Sequence, residues 1–150
     1  MNAALKPQLL VAPRELSLNG VCRYHIDGHL LCMDVEEIAN NRNGDNTSGS
    51  LSLEVWALAQ PYSGGDFSGY QLASVALGAL QGQSCFRQQQ FAQPLQSPVE
   101  GSWYLVMMLR EWGGSSFITR DFINFPQPVK AEYKLTLSLD GMPIIYRGRQ

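Results

Sequence analysis

Charged residues are scarce in this sequence, and neither sign is in large excess. They make up 16% of the 150 residues, and the formal net charge is −2. A chain without a basic excess lacks the positive field that attracts nucleic acid or anionic lipid. The composition therefore predicts that the protein has no nucleic-acid partner.

Long apolar runs are missing as well. No stretch comes close to the ~18 apolar residues of a membrane-spanning helix, so we expect no membrane partner. Near the N-terminus the longest apolar run covers residues 9–12. A secretory signal has an apolar core of about seven residues or more. We predict a cytoplasmic protein by default, with export by a non-Sec route as the alternative.

Cysteine and histidine are few, and their spacing resembles a zinc set. Both histidines lie between two cysteines in the motif Cys22-x2-His25-x3-His29-x2-Cys32. If Asp27-Gly28 is a two-residue hairpin turn, Ile26 pairs with His29. His25 and Cys32 then share one face, while the other two side chains share the opposite face. Four ligands cannot meet at one ion from opposite faces, so we expect no metal site and no cofactor.

Other patterns for binding or catalysis are incomplete. The oxygen-rich residues 41–52 resemble a calcium loop, but Asn46 and Ser52 stand where an EF-hand needs glycine and glutamate. The segment around Cys85 is similar to the nucleophile segment of papain-like proteases, yet both histidines precede it in the chain. A thiol nucleophile needs a base to form its thiolate. We predict that the protein is not an enzyme, with a cysteine-dependent enzyme as the least favoured alternative.

What the sequence does contain is β-strand periodicity. Leu51, Leu53, Val55 and Ala57 alternate with Ser52, Glu54, Trp56 and Leu58. The first row predicts a buried strand face, and the half-polar second row predicts a face that meets solvent or a partner. Residues 102–111 are apolar on both faces, which is typical of a central strand. The Gln-rich residues 85–95, which end near Pro94, predict an edge strand.

The remaining segments fit the same pattern. Residues 15–19 predict a first strand that Gly20 ends, and the Glu36-Glu37 pair predicts a bulge or twist. Residues 72–80 fit either a helix or a strand, and Gly78 favours the strand. We predict an all-β, antiparallel immunoglobulin-like β-sandwich with an extra C-terminal β-hairpin that turns at Asp140-Gly141. The expected organisation is an N-terminal lead segment (1–14), the sandwich (15–129) and the hairpin, packed on the same domain (130–150).

Two segments carry a resemblance to a known family. Residues 48–57, with the sequence SGSLSLEVWA, and residues 99–105, with the sequence VEGSWYL, resemble the CARDB-type, immunoglobulin-like modules of bacterial proteins. The similarity covers about residues 15–129. It implies a β-sandwich that serves as an accessory unit of exported proteins, in adhesion, assembly or ligand presentation.

Aromatic side chains are the main candidates for a functional surface. Six of them are predicted to lie on outward strand faces or in glycine-rich loops, where they offer large contact area. The alternative is a second core layer, with two of the tryptophans beneath the C-terminal hairpin. The six candidates are Trp56, Tyr62, Phe67, Tyr70, Trp103 and Trp112.

These observations lead to a preferred function and one alternative. We predict a non-enzymatic module that binds another protein, or a second copy as a homodimer, through the aromatic surface or an exposed edge strand. Residues 86–93 and the C-terminal hairpin are the expected docking edges. The alternative is a carbohydrate- or small-ligand-binding module. It would use Tyr62, Phe67, Tyr70 and Trp112 as stacking platforms that line one concavity.

Overall fold

The described residues of the chain form ten β-strands and no helix. The computed structural model describes residues 2–5, 14–137 and 143–149. The all-β class predicted from the alternating apolar residues is confirmed. The strands are β1 (Asn2–Leu5), β2 (Leu16–Asp27), β3 (Leu30–Asn40), β4 (Leu51–Leu58), β5 (Tyr70–Gly78), β6 (Ser84–Pro94), β7 (Gly101–Trp112), β8 (Phe117–Asn124), β9 (Val129–Leu137) and β10 (Pro143–Arg149).

The strands form two antiparallel sheets. The smaller sheet has the order β1-β2-β3-β6, and the larger has the order β10-β9-β7-β4-β5. β7 is long enough to pair with two strands along one edge, with β9 at its start and β8 over the rest. Both sheets contribute to one buried apolar cluster, which we name the main core. A core shared in this way is expected when two sheets pack face to face.

The central part of this core comes from the predicted strands. Leu51, Leu53, Val55 and Ala57 of β4 are all buried, as the alternation predicted. β7 lies beside β4 in the middle of the larger sheet, so its prediction as a central strand is confirmed. β5 confirms the preference for a strand over a helix, and β6 confirms the predicted edge strand.

The two ends of the chain add strands at the margins of these sheets. The N-terminal lead segment contains a strand that was not predicted, since β1 pairs with residues 21–24 of β2. At the other end β9 and β10 form the predicted C-terminal hairpin, and β9 joins the larger sheet through β7. The predicted turn at Asp140-Gly141 lies outside the described residues.

Gly20 bends a continuous strand, so the prediction that it ends a strand is wrong. β2 runs through this position, where Gly20 and Val21 together face the single residue Glu36 of β3. The φ angle of Gly20 is +74°, as in a bulge that begins with a left-handed glycine. The Glu36 side chain occupies the space that a Cβ atom on Gly20 would need. The bulge expected at Glu36-Glu37 is therefore present, but the extra residue belongs to the partner strand.

The β2–β3 turn is one residue later than predicted. Asp27 pairs with Leu30, so Gly28 and His29 form the two-residue loop and Ile26 pairs with Leu31. Gly28 has a φ of +62°, and His29 is not among the positive-φ residues. A positive φ at the first central residue alone is the pattern of a type II′ turn, which favours glycine there. The predicted pairing of Ile26 with His29 is therefore wrong.

A buried carboxylate links the two sheets. Asp121 of β8 is 0% exposed, and its Oδ2 atom accepts a hydrogen bond of 2.8 Å from the backbone N–H of Leu18 in β2. Its other oxygen accepts one from the N–H of Phe122, and Arg14 lies 3.4 Å away. A backbone N–H that is buried without a hydrogen-bond partner destabilises the fold. Because Asp121 of β8 accepts from the N–H of Leu18 in β2, it stabilises the contact between the two sheets.

Candidate functional site

The outer face of β4 is covered, although its half-polar composition predicted a face open to solvent or a partner. Ser52, Glu54 and Leu58 are all buried. The cover comes from the loop between β4 and β5, residues 59–69, which we name the cover loop, and Phe122 of β8, in the same sheet, packs beside it. The residues under it form a second buried cluster on the far side of the larger sheet from the main core.

Aromatic rings build this second cluster, which we name the outer cluster. Phe67 inserts between Trp56 and Tyr62, with ring centroids 4.9 and 5.5 Å apart and the planes nearly perpendicular. Tyr62 also contacts Phe122 of β8 at 4.7 Å. Edge-to-face pairs of this kind add to the free energy of burial. Trp56 and Tyr62 therefore belong to a second core layer, which was the alternative prediction for the aromatic residues. The cover loop lies over this layer.

The cover loop is fixed by hydrogen bonds as well as by aromatic packing. The N–H of Tyr62 donates to Oδ1 of Asn124 at 3.1 Å, and Nδ2 of Asn124 donates back to the Tyr62 carbonyl at 2.9 Å. The Tyr62 hydroxyl donates to the Gly65 carbonyl. Gly69 passes so close to the backbone of Ala57 that a Cβ atom would collide with it. The loop therefore holds one shape over the sheet.

Two of the predicted surface aromatics lie elsewhere, at one end of the main core. Tyr70 and Trp103 contact each other with ring centroids 5.2 Å apart. Trp103 packs against the main core and donates from Nε1 to the carbonyl of Val99. It thus faces inward, and its predicted outward position is wrong. Tyr70 is exposed, but it does not line the groove described below.

The sixth candidate belongs to an apolar surface that sequence patterns did not predict. Trp112, Phe117 and Ile118, which we name the tip patch, are 43%, 36% and 41% exposed at the β7–β8 hairpin. The rings of Trp112 and Phe117 lie 5.2 Å apart. The sequence could have predicted the contact between Trp112 and Phe117, which flank the glycine-rich turn that begins at Gly113-Gly114. Residues on either side of a short turn are cross-strand neighbours.

A groove with a volume of about 570 Å³ separates the cover loop from the start of β8. Of the predicted stacking residues only Tyr62 and Phe67 line it, so the prediction that Tyr70 and Trp112 share one concavity with them is wrong. The other lining residues come from β4, β7, β8 and both neighbouring loops. They are Trp56, Gly65, Asp66, Arg110, Ser116, Phe117, Ile118 and Thr119.

A charged pair lies at the base of this groove. Nη1 of Arg110 contacts Oε1 of the buried Glu54 at 3.3 Å, and Nε1 of Trp56 donates to the same oxygen at 2.8 Å. The guanidinium also lies over the ring of Phe67, 5.1 Å from its centroid. Because the carboxylate has a charged partner and a neutral donor, its burial is compensated.

A second charged group closes the end of the main core. Glu111 is buried, and both of its oxygens accept hydrogen bonds of 2.9 Å from Arg42. The N–H of Gly49 and Nε of Arg120 donate to it as well. These donors, with Arg42 first, lower the pKa of Glu111 to about 2, against the opposing effect of burial. The network fixes the loop between β3 and β4, residues 41–50, which we name the Asn-rich loop, to β7 and so has a structural role.

The Asn-rich loop itself is packed by its own polar groups. Nδ2 of Asn40 donates to the carbonyls of Asn46 and Leu80, and its Oδ1 accepts from the N–H of Arg42. Nδ2 of Asn41 donates to the carbonyl of Arg14. These side chains hold turns together, the usual role of asparagine in loops.

The cysteines and histidines are spread over different environments. Cys22 is buried in the main core, whereas His25 lies opposite Cys32 on the other face of the smaller sheet. Cys85 accepts a hydrogen bond of 3.3 Å from Nε of Arg87, a cation that cannot act as a base. Among the described residues no three His, Cys, Asp or Glu side chains are grouped as metal ligands would be.

Comparisons with known proteins give one weak similarity. No protein-family model and no curated protein matches the chain. Among solved structures it is similar to a crystal structure of a protein provisionally described as a beta-galactosidase from Bacteroides fragilis, with 12% identity and a TM-score of 0.33. The match covers 83% of this chain and 17% of that chain. A likeness of this size carries no argument about fold or function.

In the described residues, no helix is long and apolar enough to cross a membrane.

Proposed function

We propose that the protein is a non-enzymatic recognition module that binds another protein, or a second copy of itself, through the outer face of the larger sheet. The observation that carries this proposal is the exposure of Trp112 and Phe117, whose rings contact each other at the β7–β8 hairpin, next to the exposed Ile118. Adjacent large apolar side chains on a surface are typical of protein interaction sites. An accessory role of this kind also agrees with the resemblance to CARDB-type modules.

The surroundings of the tip patch support the same function. Phe117 and Ile118 also line the groove, so the apolar surface continues from the hairpin toward the cover loop. Asp66, Ser116 and Thr119 border this surface with polar groups. Interfaces between proteins combine apolar side chains with polar groups in this way.

Pairing through an edge strand is a second route to the same function, and it is less favoured. β6 and β10 each lie at one end of a sheet, and an added strand could pair there. However, Gln88 in the middle of β6 has a φ of +52°, which interrupts the regular extended backbone. An added strand would pair with only part of β6, since irregular edges resist pairing.

Light scattering over a concentration series tests this proposal. We expect the wild type to form a dimer, or to retain a co-purifying protein, and Trp112→Ser to abolish that association. Leu30→Ser is the matched control, because Leu30 is 42% exposed at the distant β2–β3 hairpin. A wild type that stays monomeric and retains no protein contradicts the proposal. So does association that survives in Trp112→Ser or disappears equally in Leu30→Ser.

A further inference from the structure

The groove beside the tip patch has the properties of a ligand site in its own right. Its volume of about 570 Å³ falls within the range of small-molecule sites, ~300–1,000 Å³. Four of its lining residues are aromatic, namely Trp56, Tyr62, Phe67 and Phe117, and among the rest are an arginine, an aspartate and two hydroxyl groups. A lining of this kind suits a ligand that has both apolar faces and hydroxyl groups.

Arg110 is held in position and still has hydrogen-bond donors to offer. Nε donates to Oγ1 of Thr119, Nη1 to Glu54 and Nη2 to the carbonyl of Phe117. A guanidinium has five N–H groups. Within the described part of the chain three are used, which leaves two. Since the Phe67 ring also restrains the guanidinium, little conformational entropy is lost when a ligand accepts these two bonds.

The charge of the groove favours a neutral ligand. Arg110 and Glu54 compensate each other, so the base of the groove carries no net charge. Asp66 is exposed among the lining residues and adds a negative charge. An anionic ligand would meet this carboxylate without an unpaired cation to balance it. Phosphate, sulfate and carboxylate groups are therefore disfavoured.

A peptide fits the groove less well, because the aromatic donors are already engaged. Aromatic-lined grooves also bind proline-rich peptides. Here, however, Nε1 of Trp56 donates to Glu54 and the Tyr62 hydroxyl donates to Gly65. Neither is free for a peptide carbonyl. The Thr119 hydroxyl is engaged as well, since it accepts from Arg110 and donates to the sulfur of Met108. What the groove offers is ring surface, the Arg110 donors, the Asp66 acceptor and the hydroxyl of Ser116.

We propose that this groove binds a neutral oligosaccharide. A sugar ring presents C–H groups on its faces, which pack on an aromatic ring such as the exposed Phe117, and hydroxyls around its edge. Those hydroxyls accept from Arg110 and donate to Asp66. The groove shares Phe117 and Ile118 with the tip patch but not Trp112, so substitution of Trp112 tests protein binding and substitution of Arg110 tests saccharide binding.

Titration calorimetry with a panel of soluble saccharides tests the proposal. The panel contains neutral cello-, malto-, chito- and galacto-oligosaccharides, sulfated and uronic-acid oligosaccharides, and a proline-rich peptide. We expect binding by at least one neutral saccharide and by none of the charged ones. Phe117→Ser removes the exposed ring, and Arg110→Lys keeps the charge beside Glu54 but loses the planar donors. Each should weaken binding about tenfold or more.

Three variants separate this result from loss of the fold and from the tip patch. Phe117→Tyr keeps the ring and should retain binding, whereas Arg110→Lys preserves the test of weakened binding if Phe117→Ser fails to fold. Trp112→Ser should abolish protein association and still bind the saccharide, and Leu30→Ser should change neither. The proposal is overturned if no neutral saccharide binds, if the peptide or a charged saccharide binds instead, or if Arg110→Lys and a folded Phe117→Ser both keep affinity within about twofold of that of the wild type.

Discussion

Asn124 and Tyr62 exchange two hydrogen bonds across 62 residues of sequence, and this exchange fixes the cover loop to β8. The loop encloses the outer cluster and forms one wall of the groove. Trp56, Tyr62 and Phe67 therefore pack in the outer cluster and also line the groove. A strand face that looked half-polar in the sequence is buried because a loop of eleven residues, 59–69, folds back over it.

Replacing Asn124 by alanine should loosen the cover loop. The substitution removes both hydrogen bonds and leaves two backbone groups of Tyr62 without these partners, at a cost of about 1–3 kcal/mol in the free energy of unfolding. Urea denaturation measures the loss, and hydrogen exchange should accelerate in residues 59–69 first. Asn43→Ala, at an exposed loop position, is the control and should cost no more than ~0.5 kcal/mol. Equal effects of the two variants would show that the exchange does not anchor the loop.

Gly20→Ala should destabilise the protein through the backbone. Gly20 has a φ of +74°, and alanine in the left-handed region costs about 1–2 kcal/mol. The added methyl group must also displace the Glu36 side chain. Gly44→Ala is the matched control, because Gly44 has no positive φ and no atom within 4 Å of an added Cβ. The midpoint of thermal unfolding should fall for the first variant only; a drop in both would mean that Gly20 is not specifically required.

The main features of the larger sheet were predictable, because local alternation decides them. The inner row of β4 and the two apolar faces of β7 are properties of short segments. The bulge at Gly20 and the register of the β2–β3 turn could not be predicted from local alternation. Whether a glycine ends a strand or bends it depends on the residue opposite, here Glu36, and turn register depends on which residue takes the positive φ.

The groove was less predictable than the fold, because its residues are distant in sequence. Phe67 and Phe117 lie 50 positions apart, and only the pairing of β7 with β4 and β8 brings their elements together. An aromatic residue in a glycine-rich loop has the same local pattern whether it is exposed or folded back. Tyr70, which is exposed, and Tyr62, which is buried, illustrate both outcomes in one loop region.

Glu111 should make stability depend on pH under acidic conditions. Its pKa is about 2 in the folded protein and about 4.5 as a free side chain. The folded state therefore binds this proton less readily, so the stabilisation is complete above pH 4.5 and is lost as the pH falls from 4.5 to 2. The contribution is about 3 kcal/mol, which urea denaturation across this interval measures.

The substitution Glu111→Gln isolates this effect. The variant should be less stable at neutral pH, because Arg42 and Arg120 lose their charged acceptor. It should also show a shallower decrease of stability between pH 4.5 and 2. Glu100→Gln removes an exposed carboxylate and controls for the change in net charge. If Glu111→Gln kept the full wild-type slope, the network around Arg42 would not be the source of the acid sensitivity.

The three thiols should differ in their reaction with iodoacetamide. Cys22 is 0% exposed in the main core, whereas Cys32 and Cys85 are partly exposed on β3 and β6. Alkylation of Cys22 requires opening of the core, so its rate should be lower by several orders of magnitude. Mass spectrometry of the native protein should find label at Cys32 and Cys85 first, and urea-unfolded protein, as the control, should label at all three. Equal native rates for Cys22 and Cys85 would contradict the buried position of Cys22 and the shared core of the two sheets.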